Sequence, residues 1–283
     1  LLIDPLHHFA NLELYFLKST DRNWNRYVSL IQNEFDNQTH LEHAISYYNR
    51  GSNTDAEKLL RRLNSTVGLD PISNIWLAFI VKDSQILANT LVKAVDFSHP
   101  FRRETIKALE WAATNSSEWK LKYYLGLNYW AKDRNQEALV LFNSLYNTPD
   151  SMPFYISRAK LNDLYGKRSD VEKDLERSIS YAQDSWIAYL YVVQYYQDNE
   201  MWKKAGIVSE KAYLKFSDNF NVHVLHAKSL LHLGMFDECI NILNDTTVLP
   251  SELGKESRQI HEWALLEKSI QLIRGRKFDQ ARD

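Results

Sequence analysis

The sequence has little glycine, proline or cysteine. Its 283 residues include 8 Gly, 6 Pro and 1 Cys. So few turn-forming residues argue against an all-β protein with many tight turns, and we expect an all-α chain. The single cysteine, Cys239, excludes a disulfide within the chain and a multi-cysteine zinc site. No cofactor motif accompanies it, so we predict neither a metal nor a cofactor.

An excess of charge and long apolar runs are also missing. The 34 Lys and Arg are balanced by 36 Asp and Glu, which gives a net charge of -2. A nucleic-acid backbone would require an excess of positive charge, so nucleic acid is not an expected partner. No run of 18 uncharged apolar residues occurs, so we predict a soluble chain without a membrane span. The sequence leaves the compartment open, with the cytoplasm favoured.

A repeat of about 34 residues dominates the second half of the chain. One series of small or apolar residues recurs at steps of 33, 34 and 34: Gly126, Ala159, Val193 and Ala227. A second series lies twelve residues further on: Ala138, Val171, Ala205 and Cys239. A period of this length indicates stacked helical hairpins, each with a first and a second helix, in which small residues allow close helix approach.

The repeat divides the chain into predicted hairpins. Four of them begin at Trp119, Met152, Trp186 and Phe220. Further hairpins are predicted to begin near Asn37 and near Glu262, the latter delayed by a loop at 246–254. The pattern is degenerate at 69–114, which we interpret as irregular helices that keep the stack continuous, with a break at 97–101.

The predicted organisation is a helical pair at 1–36, from helices at 5–17 and 22–33, followed by a solenoid at 37–283. Pro5 is suited to the first turn of the opening helix. The chain starts without Met and stops one turn into a helix. We therefore expect it to be a segment of a longer protein, from which a signal peptide could be missing.

Several residues of the clearest hairpin carry a family resemblance. They are Leu125, Gly126, Tyr129, Ala138, Phe142 and Pro149. This set is similar to the tetratricopeptide repeat signature, and the resemblance covers 37–282 with a gap in the middle. It implies an all-α, right-handed superhelical solenoid of antiparallel hairpins, whose concave surface binds an extended peptide or a helix of a protein partner.

A narrower resemblance rests on the segments 4–10, 99–105 and 119–125. They resemble parts of large bacterial proteins in which an uncharacterised, carbohydrate-related β-sandwich domain precedes tetratricopeptide repeats. This likeness implies that the chain is the helical part alone, that an adjacent domain of the same polypeptide is a partner, and that any sugar chemistry belongs to that domain.

The tetratricopeptide resemblance also implies which side chains line the concave groove. They are Tyr123, Trp130, Lys160, Asp163, Gln194, Gln197, Lys228 and His232. Aromatic, amide and charged groups of this kind can hold a peptide backbone or a carboxylate. The Lys and Asn that clamp a chaperone C-terminus in part of the family are absent, so that ligand is not predicted. The alternative is an inner face that is merely solvated.

Two other sets of residues could bind small ions. His99, Arg102 and Arg103 could bind an anion near a helix start, but the favoured interpretation is that Phe101 staples the helix and the arginines form salt bridges. The histidines of 223–232, with His261, could bind a metal, but a packing role is favoured. The adjacent His7 and His8 are expected at a helix surface or in a capping contact.

These observations favour a non-catalytic interaction scaffold, since no catalytic motif or carboxylate pair is recognised. Two alternatives stay open. The chain could be the helical accessory region of a larger, carbohydrate-related enzyme whose catalytic domain lies outside it. It could also be a self-association module that uses exposed aromatics such as Trp24 or Trp76.

Overall fold

The structure is a computed structural model that describes residues 4–32, 36–66, 68–92, 99–182, 184–246 and 252–282. These residues form 17 α-helices and no strand, which confirms the predicted all-α class. The helices are α1 His8–Leu17, α2 Asp21–Val28, α3 Asp36–Asn49, α4 Asn53–Thr66, α5 Pro71–Val81, α6 Ser84–Leu91, α7 Thr105–Asn115, α8 Trp119–Trp130, α9 Asn135–Ser144, α10 Met152–Leu164, α11 Arg168–Ser180, α12 Trp186–Asp198, α13 Trp202–Lys215, α14 Phe220–His232, α15 Phe236–Asn244, α16 Glu252–Arg274 and α17 Phe278–Arg282. They fall into two compact units, unit 1 at Leu1–Pro149 and unit 2 at Asp150–Asp283.

Four of the predicted hairpin starts are confirmed. The first helices α8, α10, α12 and α14 begin at the four predicted residues, and each is followed by a second helix that packs against it. The eighth residue of the first helix and the fourth of the second are buried in every one of these hairpins. A small side chain at these places lets the two backbones approach, which is why their recurrence reveals the hairpins.

The degenerate stretch contains one further regular hairpin with an insertion. α5 packs against α7, and α7 packs against α8. In other hairpins a first helix packs against its second helix, which packs against the next first helix, so α5 is a first helix here and α7 is its second helix. Ala78 and Ala108 take the two small-residue places, and both are 0% exposed. Residues 82–104, including α6, stand where the other hairpins have a short turn. The helices at 69–114, predicted to be irregular, therefore form a regular hairpin with an insertion between its two helices. Phe97 and Ser98 of the predicted break lie outside the described residues.

Helix α6 contacts α5 and α8 in unit 1. Its buried residues Leu87 and Leu91 form its apolar side, and α6 packs against α5. Lys120 Nζ of α8 donates a hydrogen bond of 2.6 Å to the Leu91 carbonyl oxygen. The insertion is therefore a packed element of unit 1.

Six of the turns that join a first helix to its second helix share one backbone geometry. Each has a residue with positive φ, and these residues are Gly51, Asp133, Gly166, Glu200, Gly234 and Arg276. In each turn this residue's N–H bonds the carbonyl three residues back, and the next N–H bonds the carbonyl five residues back. This Schellman-type pattern satisfies carbonyls at the end of the first helix. Asp133, Glu200 and Arg276 adopt the conformation despite their Cβ atoms.

Replacing Glu200 by Gly should raise the free energy of unfolding by about 0.5–1 kcal/mol, because glycine removes the Cβ clash of the left-handed conformation. Urea denaturation followed by circular dichroism measures the change. Gly234→Ala, at the equivalent turn, is the matched control and should lower the same quantity by a similar amount. A destabilised Glu200→Gly variant would contradict the assigned turn geometry.

The predicted opening helix starts later than expected. α1 begins at His8 rather than at Pro5, because His7 Nδ1 accepts the N–H of Ala10 at 3.2 Å and caps the helix. The Asp4 carboxylate accepts the N–H of Leu6 at 3.0 Å and holds the preceding residues in a turn. The capping role expected for the His7–His8 pair is thus found at His7, and the predicted helix at 22–33 is the shorter α2.

The last hairpin also differs from its prediction. α16 begins at Glu252, not near Glu262, and Gly254 lies inside it. Ile260 and Ala264 of this helix pack into a core with α14 and α15, so the extra residues lengthen the first helix. The predicted loop at 246–254 is therefore helical from Glu252 onward; 247–251 lie outside the described residues.

Candidate functional site

The first helices of unit 2 form one side of the unit, which we call the first-helix face. α10, α12, α14 and α16 contact one another in that order. The exposed groove candidates on this face are Lys160, Asp163, Gln194 and His232, while Lys228 is half-buried. These five side chains present two ammonium groups, a carboxylate, an amide and an imidazole on neighbouring helices.

Contacts between the first helices fix several of these side chains. Lys160 Nζ lies 3.8 Å from the centroid of the Tyr191 ring and joins α10 to α12. Lys228 Nζ lies 2.9 Å from a carboxylate oxygen of Glu256 and joins α14 to α16. Cation–π and ionic contacts of this kind restrict the rotamers of long side chains before a ligand arrives.

Gln197 supplies the link between α12 and α14, but from inside the unit. Its Nε2 donates to the Leu225 carbonyl at 2.9 Å and to Ser229 Oγ at 3.0 Å, and the residue is 4% exposed. The groove position predicted for Gln197 is therefore wrong for this structure. A buried amide must be hydrogen-bonded, and here the partner is the adjacent first helix.

Tyr123 is likewise a core residue rather than a groove residue. It is 1% exposed, and its ring centroid lies 5.7 Å from that of Phe142 and 6.1 Å from that of Trp119. Because Gly126 has no side chain, the Phe142 ring can approach the backbone of α8 closely. Tyr123 packs beside that ring. Trp130, the other predicted groove residue of unit 1, is half-buried at the end of α8.

His232 lies at the turn edge of the first-helix face, stacked on Trp202. The ring centroids are 3.6 Å apart and the planes are inclined by 5°. Burial lowers the pKa of His232, the nearby Lys228 lowers it further, and Glu200 opposes the shift. The favoured form is therefore a neutral imidazole that can accept or donate a hydrogen bond.

The candidate anion loop of unit 1 is already engaged. Arg102 forms an ion pair with Glu42 of α3, and its carbonyl oxygen accepts from Asn128 Nδ2 of α8 at 3.0 Å. Its guanidinium lies 4.4 Å from the Phe101 ring centroid. The salt bridge expected under the favoured interpretation is thus present at Arg102, while His99 and Arg103 are exposed.

The histidines of α14 have packing partners. His226 Nδ1 lies 3.0 Å from Ser209 Oγ, and burial lowers its pKa. His223 Nδ1 lies 2.8 Å from Thr246 Oγ1, and its Nε2 lies 2.5 Å from the Ser217 carbonyl oxygen. Within the described ranges no group of three or more potential metal ligands is found. These contacts agree with the predicted packing role.

Both tryptophans suggested for self-association lie in the core. Trp24 is 3% exposed and Trp76 is 0% exposed. Trp76 Nε1 donates to Thr105 Oγ1 at 3.0 Å, and the Trp24 ring lies 5.2 Å from that of Tyr15. Neither ring can contact another molecule, so this basis for self-association is wrong.

Sequence reasoning missed a buried ion pair in unit 2. The Arg158 guanidinium donates to both carboxylate oxygens of Asp174, at 2.8 and 2.6 Å, and the two side chains are 8% and 4% exposed. The other clear hairpins carry Leu125, Val192 and His226 at the place of Arg158. The sequence did contain a signal for this ion pair: Arg158 is charged at a place where the other hairpins are not, and the acidic Asp174 follows sixteen positions later.

The hairpin length, the paired small residues and the repeated turn define an all-α helical-repeat protein whose hairpins have the tetratricopeptide layout. Within the residues that the structure describes, none of the helices combines the length and hydropathy that crossing a bilayer requires. No protein-family model matches the chain, and no curated protein matches it.

Solved structures similar to this chain include tetratricopeptide repeat proteins. A thermophilic TPR protein of Thermus thermophilus is 17% identical, with 69% of this chain and 99% of that chain covered and a TM-score of 0.41. A tetratricopeptide repeat protein of Parabacteroides merdae is 13% identical, with 82% and 90% covered and a TM-score of 0.42. Yeast Tom70 is 14% identical, with 94% and 59% covered and a TM-score of 0.47.

Proposed function

We propose that unit 2 is a non-catalytic binding module that takes an extended peptide or a helix of a protein partner on its first-helix face. The observation that carries this proposal is the set of cross-helix contacts beside exposed polar side chains: Lys160 on Tyr191 and Lys228 on Glu256. A surface that is ordered before binding loses little conformational entropy when the ligand binds, so most of the entropy loss comes from ordering the partner.

The exposed groups on this face suit a peptide backbone with polar side chains. The Gln194 amide can donate to and accept from a peptide unit, and Lys160 can pair with a carboxylate. A few such anchors dominate the affinity of most interfaces. The partner is a protein or peptide, and an adjacent domain of the same polypeptide is one candidate.

The test starts with a peptide ligand selected by display on the immobilised chain. Fluorescence anisotropy then compares the wild type with Lys160→Ala/Gln194→Ala, which should bind at least about tenfold more weakly, or about 1.4 kcal/mol. Lys203→Ala, an exposed lysine of the second helix α13, is the control and should bind as the wild type does. Unchanged affinity in the double variant, with its circular dichroism intact, would refute the assignment of this face.

A further inference from the structure

A second surface, in unit 1, lies where the inserted segment leaves α5. Lys82 has φ 55° and ψ 41°, and its left-handed conformation ends α5. The N–H of Asp83 bonds the Ala78 carbonyl at 3.0 Å, and the Asp83 side chain then caps α6. Two consecutive caps fix the backbone on both sides of Lys82, so the starting direction of its side chain is set by the fold.

Three rings from three helices form the floor of this surface. Tyr48 of α3 lies 5.5 Å from Phe79 of α5, and Phe79 lies 5.8 Å from Trp111 of α7, between ring centroids. Trp76 lies beneath them, 5.5 Å from Tyr48 and fully buried. Tyr48 and Trp111 are half-buried, so part of each ring faces solvent.

Two lysines lie over these rings. Lys82 Nζ is 3.8 Å from the Phe79 centroid and 5.0 Å from that of Trp111. Lys107 Nζ is 4.2 Å from the Tyr48 centroid, and it donates to Asn49 Oδ1 at 3.1 Å. We call Tyr48, Phe79, Lys82, Lys107 and Trp111 the lysine–aromatic cluster.

The charge of the cluster is not balanced by a direct ion pair. Among the described residues, neither ammonium group forms a salt bridge with a carboxylate, whereas several lysines of unit 2 do. Burial lowers the pKa of Lys82 and of Lys107, with Glu104 opposing the shift at Lys107. A carboxylate placed here would therefore meet two partly desolvated cations, where a charge-assisted hydrogen bond is stronger than in open water.

The surroundings favour a peptide over a dense polyanion. Glu104 and Glu110 lie on or next to α7, and Glu110 accepts from the Tyr129 hydroxyl at 3.0 Å. A nucleic-acid backbone would bring a negative charge at every nucleotide against these acids and the net charge of -2, whereas a peptide can present as few as two carboxylates. An acidic peptide can instead place its carboxylates on the two lysines and an apolar side chain on the half-buried rings of Tyr48 and Trp111.

We infer that the lysine–aromatic cluster is a docking site for an acidic peptide segment, with carboxylates on Lys82 and Lys107 and an apolar side chain against the half-buried Trp111 ring. The inserted segment creates this site, because it holds Lys82 at the end of α5 where the other hairpins turn directly into the second helix. The site lies in unit 1 and uses none of the residues proposed for binding in unit 2.

The probe is the peptide Ac-Gly-Glu-Leu-Glu-Glu-Leu-Glu-Gly-amide, whose only charges are side-chain carboxylates, and its comparison peptide has Gln at every Glu. Calorimetric titration of the full chain should show binding of the Glu peptide, weakening as salt rises, and at least tenfold weaker binding of the Gln peptide. Lys82→Gln/Lys107→Gln should weaken Glu-peptide binding at least tenfold, and Lys82→Arg/Lys107→Arg should retain most of it.

Lys211→Gln removes an exposed charge from α13 and is the matched control, expected to bind as the wild type does. Equal affinity of the Glu and Gln peptides, unchanged binding in the double Gln variant, or tighter binding of a ten-residue thymidine oligonucleotide than of the Glu peptide would overturn the inference. Since Lys160→Ala/Gln194→Ala leaves this cluster intact, failure here and failure of the face in unit 2 are distinguishable.

Discussion

Replacing Asp174 by Asn should lower the free energy of unfolding by about 3–5 kcal/mol, because it leaves a buried guanidinium without its counter-ion. Arg158 is 7% exposed and lies beside the rings of Phe154 and Tyr155, with centroids 4.9 and 5.5 Å from its guanidinium carbon. Asn keeps the shape of the side chain, but it removes the charge and replaces one of the two oxygens that accept from Arg158 by an amide donor. Urea denaturation followed by circular dichroism measures the effect.

The double variant Arg158→Met/Asp174→Leu distinguishes the effect of removing the charges from the effect of removing side-chain volume. Replacing both members of a buried ion pair by apolar residues of similar volume is often neutral or stabilising. We therefore expect the double variant to be more stable than Asp174→Asn. A loss below about 1 kcal/mol in Asp174→Asn, as for an exposed pair, would contradict the buried geometry.

Replacing Gly126 by Ala should lower the free energy of unfolding by about 2 kcal/mol, because overpacking outweighs the better helix propensity of alanine. A Cβ atom on Gly126 would lie 2.3 Å from Cε1 and 2.8 Å from Cδ1 of Phe142. That ring is 0% exposed and rigid, so relief requires α8 and α9 to separate. Thermal and urea unfolding give the change.

Gly206 offers the matched control inside a helix. A Cβ atom there would lie 2.7 Å from Cδ1 of Leu233, the far end of a flexible side chain. Rotation of Leu233 relieves the overlap. The free energy of unfolding of Gly206→Ala should therefore be no more than about 0.5 kcal/mol below that of the wild type. Equal losses in both variants would argue against the Gly126–Phe142 contact, and Gly126→Ala/Phe142→Leu should recover part of the stability.

The hairpins were predictable from sequence because the requirement for small residues is local and repeats. Ala138 and Ala205 had to be small wherever the chain folded back, so their spacing alone located the helices. The hairpin of α5 and α7 escaped this reasoning because α6 lies between its two small residues, Ala78 and Ala108. The helical insertion changes the spacing between the two small residues, so the 34-residue period is lost there although the two helices still pack as a hairpin.

The candidate site was less predictable because burial depends on what lies across the hairpin. Tyr123 occupies a groove position in the family layout, yet in this chain it packs against the Phe142 ring that Gly126 admits. The lysine–aromatic cluster draws on α3, α5 and α7 together, and the insertion displaces the last of these from the repeat. No spacing in the sequence predicts that Tyr48 and Trp111 both pack against the Phe79 ring.

The insertion after Val81 also bears on the order in which unit 1 folds. The chain from Ala131 to Arg134 closes the hairpin of α8 and α9, whereas residues 82–104 must close that of α5 and α7. For a flexible chain, closing the longer connection costs about 1.5 kcal/mol more conformational entropy. We therefore expect folding to begin in the hairpins with short turns, before α7 docks onto its neighbours.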